Sequence, residues 1–145
     1  MDTQICFISL PDYSPPQDSL SEWLLTCSKE YNVSIHQLFY TFVDDQQMLD
    51  LNKEFLSHDT DTDIITFCYN SQPVISSEIY ISTIMLQSNA KKLKVPILEE
   101  FLRLIIHGFL HSIGFKDSNT NEKLLMRKEE DKCINLFHVK HTPYV

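Results

Sequence analysis

The sequence predicts an α+β fold in which a small mixed β-sheet packs against several helices. Short apolar runs of β-branched and aromatic residues recur in the first part of the chain, a pattern typical of strands. Helical spacing of apolar residues dominates the second half. Strands mixed with helices, and helices that dominate the second half, indicate α+β, and an α/β arrangement with a small sheet stays open.

Four strands are predicted, at 5–10, 38–43, 64–68 and 78–82. Segment 71–77, SQPVISS, is predicted to be a loop. The polar stretch from His58 to Asp63 reads as a turn. His58 in that turn is a candidate substrate contact, although a lone histidine in a loop is usually solvated.

Two helices are predicted in the first half of the chain. One spans about 18–31, with Ser19 or Ser21 as its N-cap. The other follows the acidic pair at 44–45, whose charge suits the positive end of a helix dipole.

Three helices are predicted in the second half. Ser82 caps the first of them, which runs to about residue 93. Pro96 opens the second, over 97–113, which is almost wholly apolar. The third spans 121–137, and we expect its inward-facing residues to be Leu124, Leu125, Ile134 and Leu136.

The length of 145 residues suits one domain, over residues 1–145. No apolar run approaches the ~20 residues that a membrane span needs. The N-terminal segment lacks the basic region and long apolar stretch of a signal peptide. We therefore expect a cytoplasmic location and no contact with membranes. The four cysteines form no C-x-x-C pair, so we expect buried free thiols at Cys6, Cys27, Cys68 and Cys133.

The formal net charge of −8 argues mildly against a nucleic-acid partner. Proteins that bind nucleic acid gain most of their affinity by neutralising phosphates with basic side chains. Any such contact would have to come from a bound metal or from local cations such as Lys91, Lys92, Lys94 and Arg103. We expect no DNA partner.

Two histidines stand four residues apart in the segment LIIHGFLHSIGFKDSN, over 104–119. On an α-helix His107 and His111 differ by about 40° of rotation and ~6 Å of rise. Their imidazole rings therefore point the same way, and one ion can lie between them.

Both glycines of the chain, Gly108 and Gly114, fall in this segment. Gly108 inside a helix costs about 1 kcal/mol relative to alanine, which suggests that another element or a substrate approaches closely there. Gly114 predicts a left-handed turn at the helix end. Without that turn residue 117 would lie about 240° around and ~9 Å further along; the turn brings Asp117 back beside the histidines.

The spacing H-x-x-x-H-x-x-G-x-x-D thus predicts one divalent metal, with zinc favoured, bound by His107, His111 and Asp117. Three protein ligands leave a position for water, as in catalytic zinc sites. A protease is not favoured, because the position after His107 is not the glutamate of the H-E-x-x-H motif. His138 or His141 is an alternative third ligand if the C-terminus folds back.

The segment His107–Phe115, H-G-x-L-H-x-x-G-F, resembles the signature of the YbeY endoribonuclease family. Leu51–Phe55, followed by Thr62–Phe67, resembles the L-N-x-x-Y and T-D-V-L-S-F block of that family. Glu78–Ser82 resembles its G-D-I-x-I-S strand, and the match runs in order over about 42–136.

The resemblance includes Met126 and Glu130, which fit the C-terminal helix of the family, and it has three departures. The third histidine ligand of the family corresponds to Asp117, which keeps a ligand and adds negative charge. An arginine associated with RNA cleavage corresponds to Leu56, which binds no phosphate. The aspartate of the G-D-I strand corresponds to the longer Glu78.

The resemblance implies a metal-dependent, single-strand endoribonuclease that acts in ribosomal RNA maturation and ribosome quality control. Its expected partners are ribosomal RNA and the small ribosomal subunit. Asp63 and Glu78 are the predicted catalytic residues, which would orient water or a ligand histidine. For Asp63 a structural role, bonding backbone amides at a strand end, is equally consistent. Lys116 beside the ligand turn would meet phosphate or face solvent.

Two other functions stay open from the sequence. One is a non-catalytic or weakly catalytic ribosome-assembly factor that keeps the fold and the metal site, which Leu56 and the net charge favour. The other is a small metallohydrolase with a substrate other than nucleic acid, which the ordered resemblance disfavours.

Overall fold

The computed structural model describes residues 2–56, 62–70 and 72–141. Its elements, in chain order, are β1 (Gln4–Ile8), α1 (Gln17–Glu30), β2 (Ser34–Val43), α2 (Asp45–Leu56), β3 (Ile64–Asn70), β4 (Val74–Ser82), α3 (Thr83–Leu93), α4 (Ile97–Ser112) and α5 (Thr120–His141). Four strands and five helices in these ranges confirm the predicted α+β class. His58 lies outside the described residues.

The sheet is mixed, with strand order β1-β2-β4-β3. β1 and β4 pair with β2 in parallel, and β3 runs antiparallel to β4 at one edge. An irregularity in β2 at 35–37 shifts the side-chain alternation, so that Ile35 and Leu38 are both buried although they are three positions apart. β2 begins at Ser34, whereas the sequence predicted a start at 38, because the shifted alternation obscures the strand pattern in its first residues.

The main core lies between one face of the sheet and the helices α1, α4 and α5. Tyr40 of β2 donates a hydrogen bond to the carbonyl of Ile105 in α4 (2.7 Å), and Trp23 of α1 donates one to the carbonyl of Cys133 in α5 (2.7 Å). A smaller cluster packs α2 on the opposite face of the sheet, through Met48. The two faces of the sheet therefore have different neighbours, and this decides which side chains reach α4.

Two local predictions were wrong. Ser76 and Ser77 lie in β4, which starts at Val74, whereas 71–77 was predicted to be a loop. β4 is paired on both sides, so its backbone is hydrogen-bonded whatever the polarity of its side chains. The first helix begins after Pro16 without a side-chain cap, so neither Ser19 nor Ser21 is the N-cap.

The C-terminal helix faces the core with a different stripe from the predicted one. Ile134 is buried and Leu136 is partly buried, but Leu124 is 65% exposed and Leu125 47% exposed. The buried positions of α5 are Met126, Glu130, Cys133, Ile134 and Phe137. These positions lie on one face of the helix. Because the charged Glu130 lies in the middle of that face, the spacing of apolar residues alone does not reveal it.

The cysteines are all free, as predicted, but only two of them are buried. Cys27 and Cys133 lie in the core, whereas Cys6 on β1 and Cys68 on β3 are exposed. None of the described helices combines the length and the apolar character that crossing a membrane would require.

Candidate metal centre

The histidine-bearing helix α4 lies directly on the sheet because Gly108 has no side chain. A Cβ built on Gly108 would stand 2.8 Å from Cδ1 and 3.0 Å from Cγ2 of Ile79, and 3.3 Å from Cδ1 of Ile64. The close approach that the sequence predicted is therefore that of the sheet, through β4 and β3. It places His107 and His111 beside the edge strand β3.

A tight turn ends α4 and redirects the chain. Gly114 has φ of 112°, a backbone conformation that side chains rarely adopt. The amide of Phe115 donates to the carbonyl of Leu110 (3.0 Å), and the amide of Gly114 donates to that of His111 (3.0 Å). These two bonds form a Schellman motif, which satisfies the last helical carbonyls and turns the chain back.

Three acceptor atoms converge at this turn. Oδ2 of Asp117 lies 3.2 Å from Nε2 of His107 and 3.3 Å from Nε2 of His111, and the two Nε2 atoms are 3.0 Å apart. Two atoms that each lie ~2.1 Å from a tetrahedral zinc ion are about 3.4 Å apart. The spacing of the three atoms therefore suits one small cation. Among the described residues, these three form the one such group of histidine, cysteine and acidic side chains.

The hydrogen bonds behind the rings explain why this group suits a cation. Nδ1 of His107 bonds Oε2 of Glu130 (2.6 Å), and Nδ1 of His111 bonds the carbonyl of Phe115 (2.9 Å). Both partners accept, so in the neutral imidazoles the proton sits on Nδ1 and the Nε2 lone pairs face each other and Asp117. Three acceptors without a donor between them repel one another unless a cation lies there.

The electrostatics of His107 agree with this account. Burial acts to lower the pKa of His107, but the hydrogen bond to Glu130 and the charges of Glu130, Asp117 and Asp63 outweigh it, so the pKa is raised. The surroundings thus favour positive charge at this ring. A proton or a metal ion supplies that charge, and the same carboxylates stabilise either.

The group is accessible to solvent and to a substrate. The side chains of His107, His111 and Asp117 are 18%, 27% and 39% exposed. His107 and Asp117 line a cavity of about 400 Å³ between α4 and α5, here called the α4–α5 cavity. All three residues also line a second cavity along β3, of about 510 Å³, here called the β3 groove. This open arrangement is typical of catalytic rather than structural zinc sites.

Comparison with known proteins identifies the family. The model of the family described as "Endoribonuclease YbeY" matches residues 14–138. The chain belongs to the YbeY family.

Curated YbeY endoribonucleases from several bacteria are similar to this chain over most of its length. That of Flavobacterium psychrophilum is 41% identical over 124 residues, which cover 86% of this chain and 89% of the relative. That of Christiangramia forsetii is 40% identical, covering 81% and 82%. That of Bacteroides fragilis strain ATCC 25285 is 33% identical, covering 88% and 90%. Family membership supports a nuclease that hydrolyses RNA.

A solved structure shares the fold. The solution structure of TM1509 from Thermotoga maritima has a TM-score of 0.69 to this chain and covers 94% of it, with 91% of that chain covered in return. At 24% sequence identity this likeness concerns the fold alone.

Asp63, one of the two predicted catalytic residues of this YbeY chain, lies at the site. It lines both the α4–α5 cavity and the β3 groove together with His107 and Asp117. Its Oδ2 accepts a hydrogen bond from the side-chain amide of Asn89 on α3 (2.9 Å). The same amide donates to Oε2 of Glu100 at 3.3 Å. Among the described residues, the hydrogen bond to the Asp63 carboxylate comes from a side-chain amide and none comes from a backbone amide.

Glu100 is an unusual neighbour for this site because its acidic side chain is buried. Its Oε1 has no hydrogen-bond partner among the described residues. Burial raises the pKa of Glu100; Asn89 and Arg103 oppose this effect, whereas the charges of Asp63 and Glu130 add to it. This carboxyl therefore holds a proton at a higher pH than a solvated glutamate does.

Glu78, the other predicted catalytic residue, lies on the opposite side of the sheet. In β4 successive side chains alternate between the faces, and Ile79 contacts α4. Glu78 therefore points toward the α2 side, where its Oε2 accepts a hydrogen bond from Tyr80 (3.2 Å). The structure does not bring Glu78 to the histidines, and its predicted role has no geometric support.

The three other histidines that the structure describes lie outside the ligand group. His138 contacts Glu99, and His141 stacks on the ring of Phe137 with centroids 4.2 Å apart. His36 bonds the carbonyl of Asp2 at 3.1 Å. Neither His138 nor His141 is near enough to replace Asp117 as third ligand.

The most important residue that sequence reasoning missed is Glu130. It was assigned only to the C-terminal helix, but it bonds His107 and also forms an ion pair with Arg103 (2.7 Å). Arg103 bonds Asp131 as well, at 3.0 Å. No local signal links residues 103, 107 and 130, because α5 meets α4 only in the folded chain.

Proposed function

We propose that this chain is a zinc-dependent endoribonuclease that cleaves single-stranded RNA during ribosomal RNA maturation and ribosome quality control. Ribosomal RNA and the small ribosomal subunit would be its partners, and the cytoplasm its location. Membership of the YbeY family supports the nuclease activity. The single observation that supports the metal is the convergence of Nε2 of His107, Nε2 of His111 and Oδ2 of Asp117 within 3.3 Å of one another.

The three ligands would hold the ion, and two acceptors behind them would hold the ligands. Glu130 and the carbonyl of Phe115 keep both Nδ1 atoms protonated, so both Nε2 lone pairs stay directed at the ion. A zinc ion bound here would supply a water of pKa ~7 and positive charge beside a phosphoryl oxygen.

Asp63 is the residue best placed to move a proton. Asn89 holds its Oδ2, whereas no described residue donates a hydrogen bond to its Oδ1. Asp63 also lines both cavities together with His107 and Asp117. In our proposal Asp63 orients the attacking water and accepts its proton at Oδ1, as a general base. Asn89 and Glu100 keep the carboxylate in position.

The decisive experiment measures zinc content and RNA cleavage on the same purified protein. His107→Ala is expected to lose zinc and to lower the cleavage rate by at least ~100-fold. His36→Ala is the matched control, because it removes a histidine outside the ligand group. A protein that cuts RNA equally well after His107→Ala, or after complete removal of zinc, would contradict the proposal.

A second function has some support from the sequence. Leu56 stands where the family resemblance implies an arginine, and Asp117 adds negative charge to the ligand group, so a ribosome-assembly factor with weak or no cleavage remains a rival. Leu56→Arg separates the two. The endoribonuclease proposal expects a faster cleavage rate from this variant, whereas retained zinc with no cleavage in either protein supports the assembly factor.

A further inference from the structure

Two basic side chains on α5 line the same cavity as the ligand group. Lys123 and Arg127 lie in the first two turns of α5 and contribute to the wall of the α4–α5 cavity, together with His107 and Asp117. They are four positions apart, so they project from one face of the helix with ~6 Å of rise between them. None of the cations proposed from the sequence, apart from Arg103, lines this cavity.

Unlike Arg103, the side chains of Lys123 and Arg127 have no ion-pair or hydrogen-bond partner among the described residues. Arg103 is held by Glu130 and Asp131 through ion pairs at 2.7 and 3.0 Å. The side chains of Lys123 and Arg127 form no hydrogen bond or ion pair with any described residue. Both side chains are exposed. Their charge is therefore available to a ligand.

The charge of the cavity wall shows why these two side chains matter. Four carboxylates line the wall, those of Asp63, Glu100, Asp117 and Glu130. When all four are ionised they carry four negative charges. A bound divalent cation and the guanidinium of Arg103 offset three of these charges, and the remaining net charge of minus one repels a phosphodiester. Lys123 and Arg127 change this to plus one, and the cavity becomes attractive to an anion.

A capping box positions the two cations relative to the ligand turn. The amide of Glu122 donates to Oδ1 of Asn119 (2.8 Å), and Oε1 of Glu122 accepts from the amides of Ser118 (3.0 Å) and Asn119 (3.3 Å). This box starts α5 directly after Asp117. The box fixes where α5 begins relative to Asp117, and it thereby fixes the position of Lys123, which follows Glu122 directly.

We propose that Lys123 and Arg127 form a phosphate-binding pair that positions the backbone of single-stranded RNA beside the ligand group. The proposal rests on the proposed endoribonuclease function and names the residues that hold its substrate. The two cations contact adjacent phosphates and do not read bases, so their effect is independent of RNA sequence. They are positioning residues, and the bond that breaks lies at the ligand group.

The test is the salt dependence of binding to an uncleaved probe. The probe is a labelled single-stranded 2′-O-methyl oligonucleotide, its integrity checked by electrophoresis, titrated with the zinc-loaded full-length protein over a salt series. The slope of log K against log salt is negative, and each lost phosphate contact on a single strand reduces its magnitude by about 0.7. Lys123→Gln with Arg127→Gln is expected to reduce that magnitude by about 1.4 and to weaken binding roughly tenfold at low salt.

Two further variants separate charge position from total charge. Lys29→Gln with Lys128→Gln removes the same charge from exposed positions outside both cavities, and it is expected to keep the wild-type slope. Arg127→Lys keeps the charge at its position and should also keep the slope. Equal slopes for the cavity variant and the control would overturn the proposal, as would a slope of smaller magnitude for Arg127→Lys.

Kinetics on unmodified RNA distinguish this proposal from the proposed function. The cavity variant is expected to raise KM about tenfold with kcat within about twofold, because the pair binds substrate and transition state alike. An unchanged KM with efficient cleavage would reject the pair and leave the endoribonuclease intact. A wild-type protein that neither binds nor cuts RNA would reject both.

Discussion

Glu130 shows how one buried side chain can decide the properties of a candidate metal centre. Its two oxygens have separate partners: Oε2 accepts from Nδ1 of His107 and Oε1 from the guanidinium of Arg103. The contact with Arg103 holds the buried carboxylate in place, and the carboxylate in turn fixes the tautomer and the orientation of His107. Arg103, which the sequence suggested as an RNA contact, therefore acts on the site through Glu130.

Replacing Glu130 by glutamine should weaken zinc binding by roughly 10–100-fold. Both partners of Glu130 are donors, and an amide offers them a single acceptor, so one of its contacts becomes unfavourable. Competition with a chromophoric chelator measures the zinc affinity. Asp131→Asn is the matched control, since it also removes a carboxylate bonded to Arg103 but does not touch His107. Equal affinities for the two variants would contradict this role.

At the scale of single residues, sequence reasoning identified those side chains whose neighbours are close along the chain. His107, His111 and Asp117 lie on one helix and the turn after it, so helical geometry and one glycine suffice to bring them together. Glu100 and Asn89 escaped attention because each lies in an amphipathic or apolar helix where a polar residue carries no local signal.

The two glycines act on different elements. Gly108 permits the helix α4 to contact β4, whereas Gly114 permits the turn that ends α4. A side chain at Gly108 meets Ile79 in the fully buried core, and a side chain at Gly114 meets nothing within 4 Å but is strained by its positive φ. The same substitution therefore has two distinct physical effects.

Gly108→Ala should lower the free energy of unfolding by about 1–3 kcal/mol, despite the better helix propensity of alanine. The new methyl group overlaps Cδ1 of Ile79, and the packed core leaves little room for adjustment. Urea unfolding of the metal-free protein measures the loss. Combination with Ile79→Val, which removes Cδ1, should cost less than the sum of the two single substitutions. Strict additivity would show that the contact with Ile79 is not the cause.

The strands illustrate a limit of reasoning from elements alone. The alternation of β4 predicts that Glu78 and Ile79 point to opposite faces, whatever the fold. Which face α4 covers depends on the order of four strands and on the packing of α1, α4 and α5. The structure places Glu78 on the face away from the histidines, and it places Asp63, just before the edge strand β3, in the same cavities as His107 and Asp117. The catalytic role of each stays a prediction.

At the scale of the whole molecule, the ligand group and the carboxylate behind it connect α4, the turn that follows it and α5. α4 carries both histidines, the following turn carries Asp117, and α5 carries Glu130, which bonds His107. A cation at this point would link α4 to the connection with α5. Ligand binding that is specific to the folded state stabilises the whole fold by mass action.

Zinc at a free concentration of about 100 times its Kd should therefore stabilise the protein by ~2.7 kcal/mol and raise Tm by roughly 5–10 °C. Differential scanning calorimetry with and without zinc measures the shift. His107→Ala should show almost no shift under the same conditions. A wild-type protein whose Tm does not respond to zinc would contradict the predicted ligand group.

The sequence by itself determined the α+β class, most helix boundaries, the grouping of His107, His111 and Asp117 as candidate metal ligands, and the turn at Gly114. These features depend on backbone geometry and on residues within a few helical turns of one another, where spacing translates directly into position. The tertiary structure alone decided that Glu130 lies behind His107, that Asn89 holds Asp63, and that Lys123 and Arg127 share a cavity with the ligands. Such contacts join residues on different elements, and their distances depend on how helices and strands pack, which no local pattern encodes.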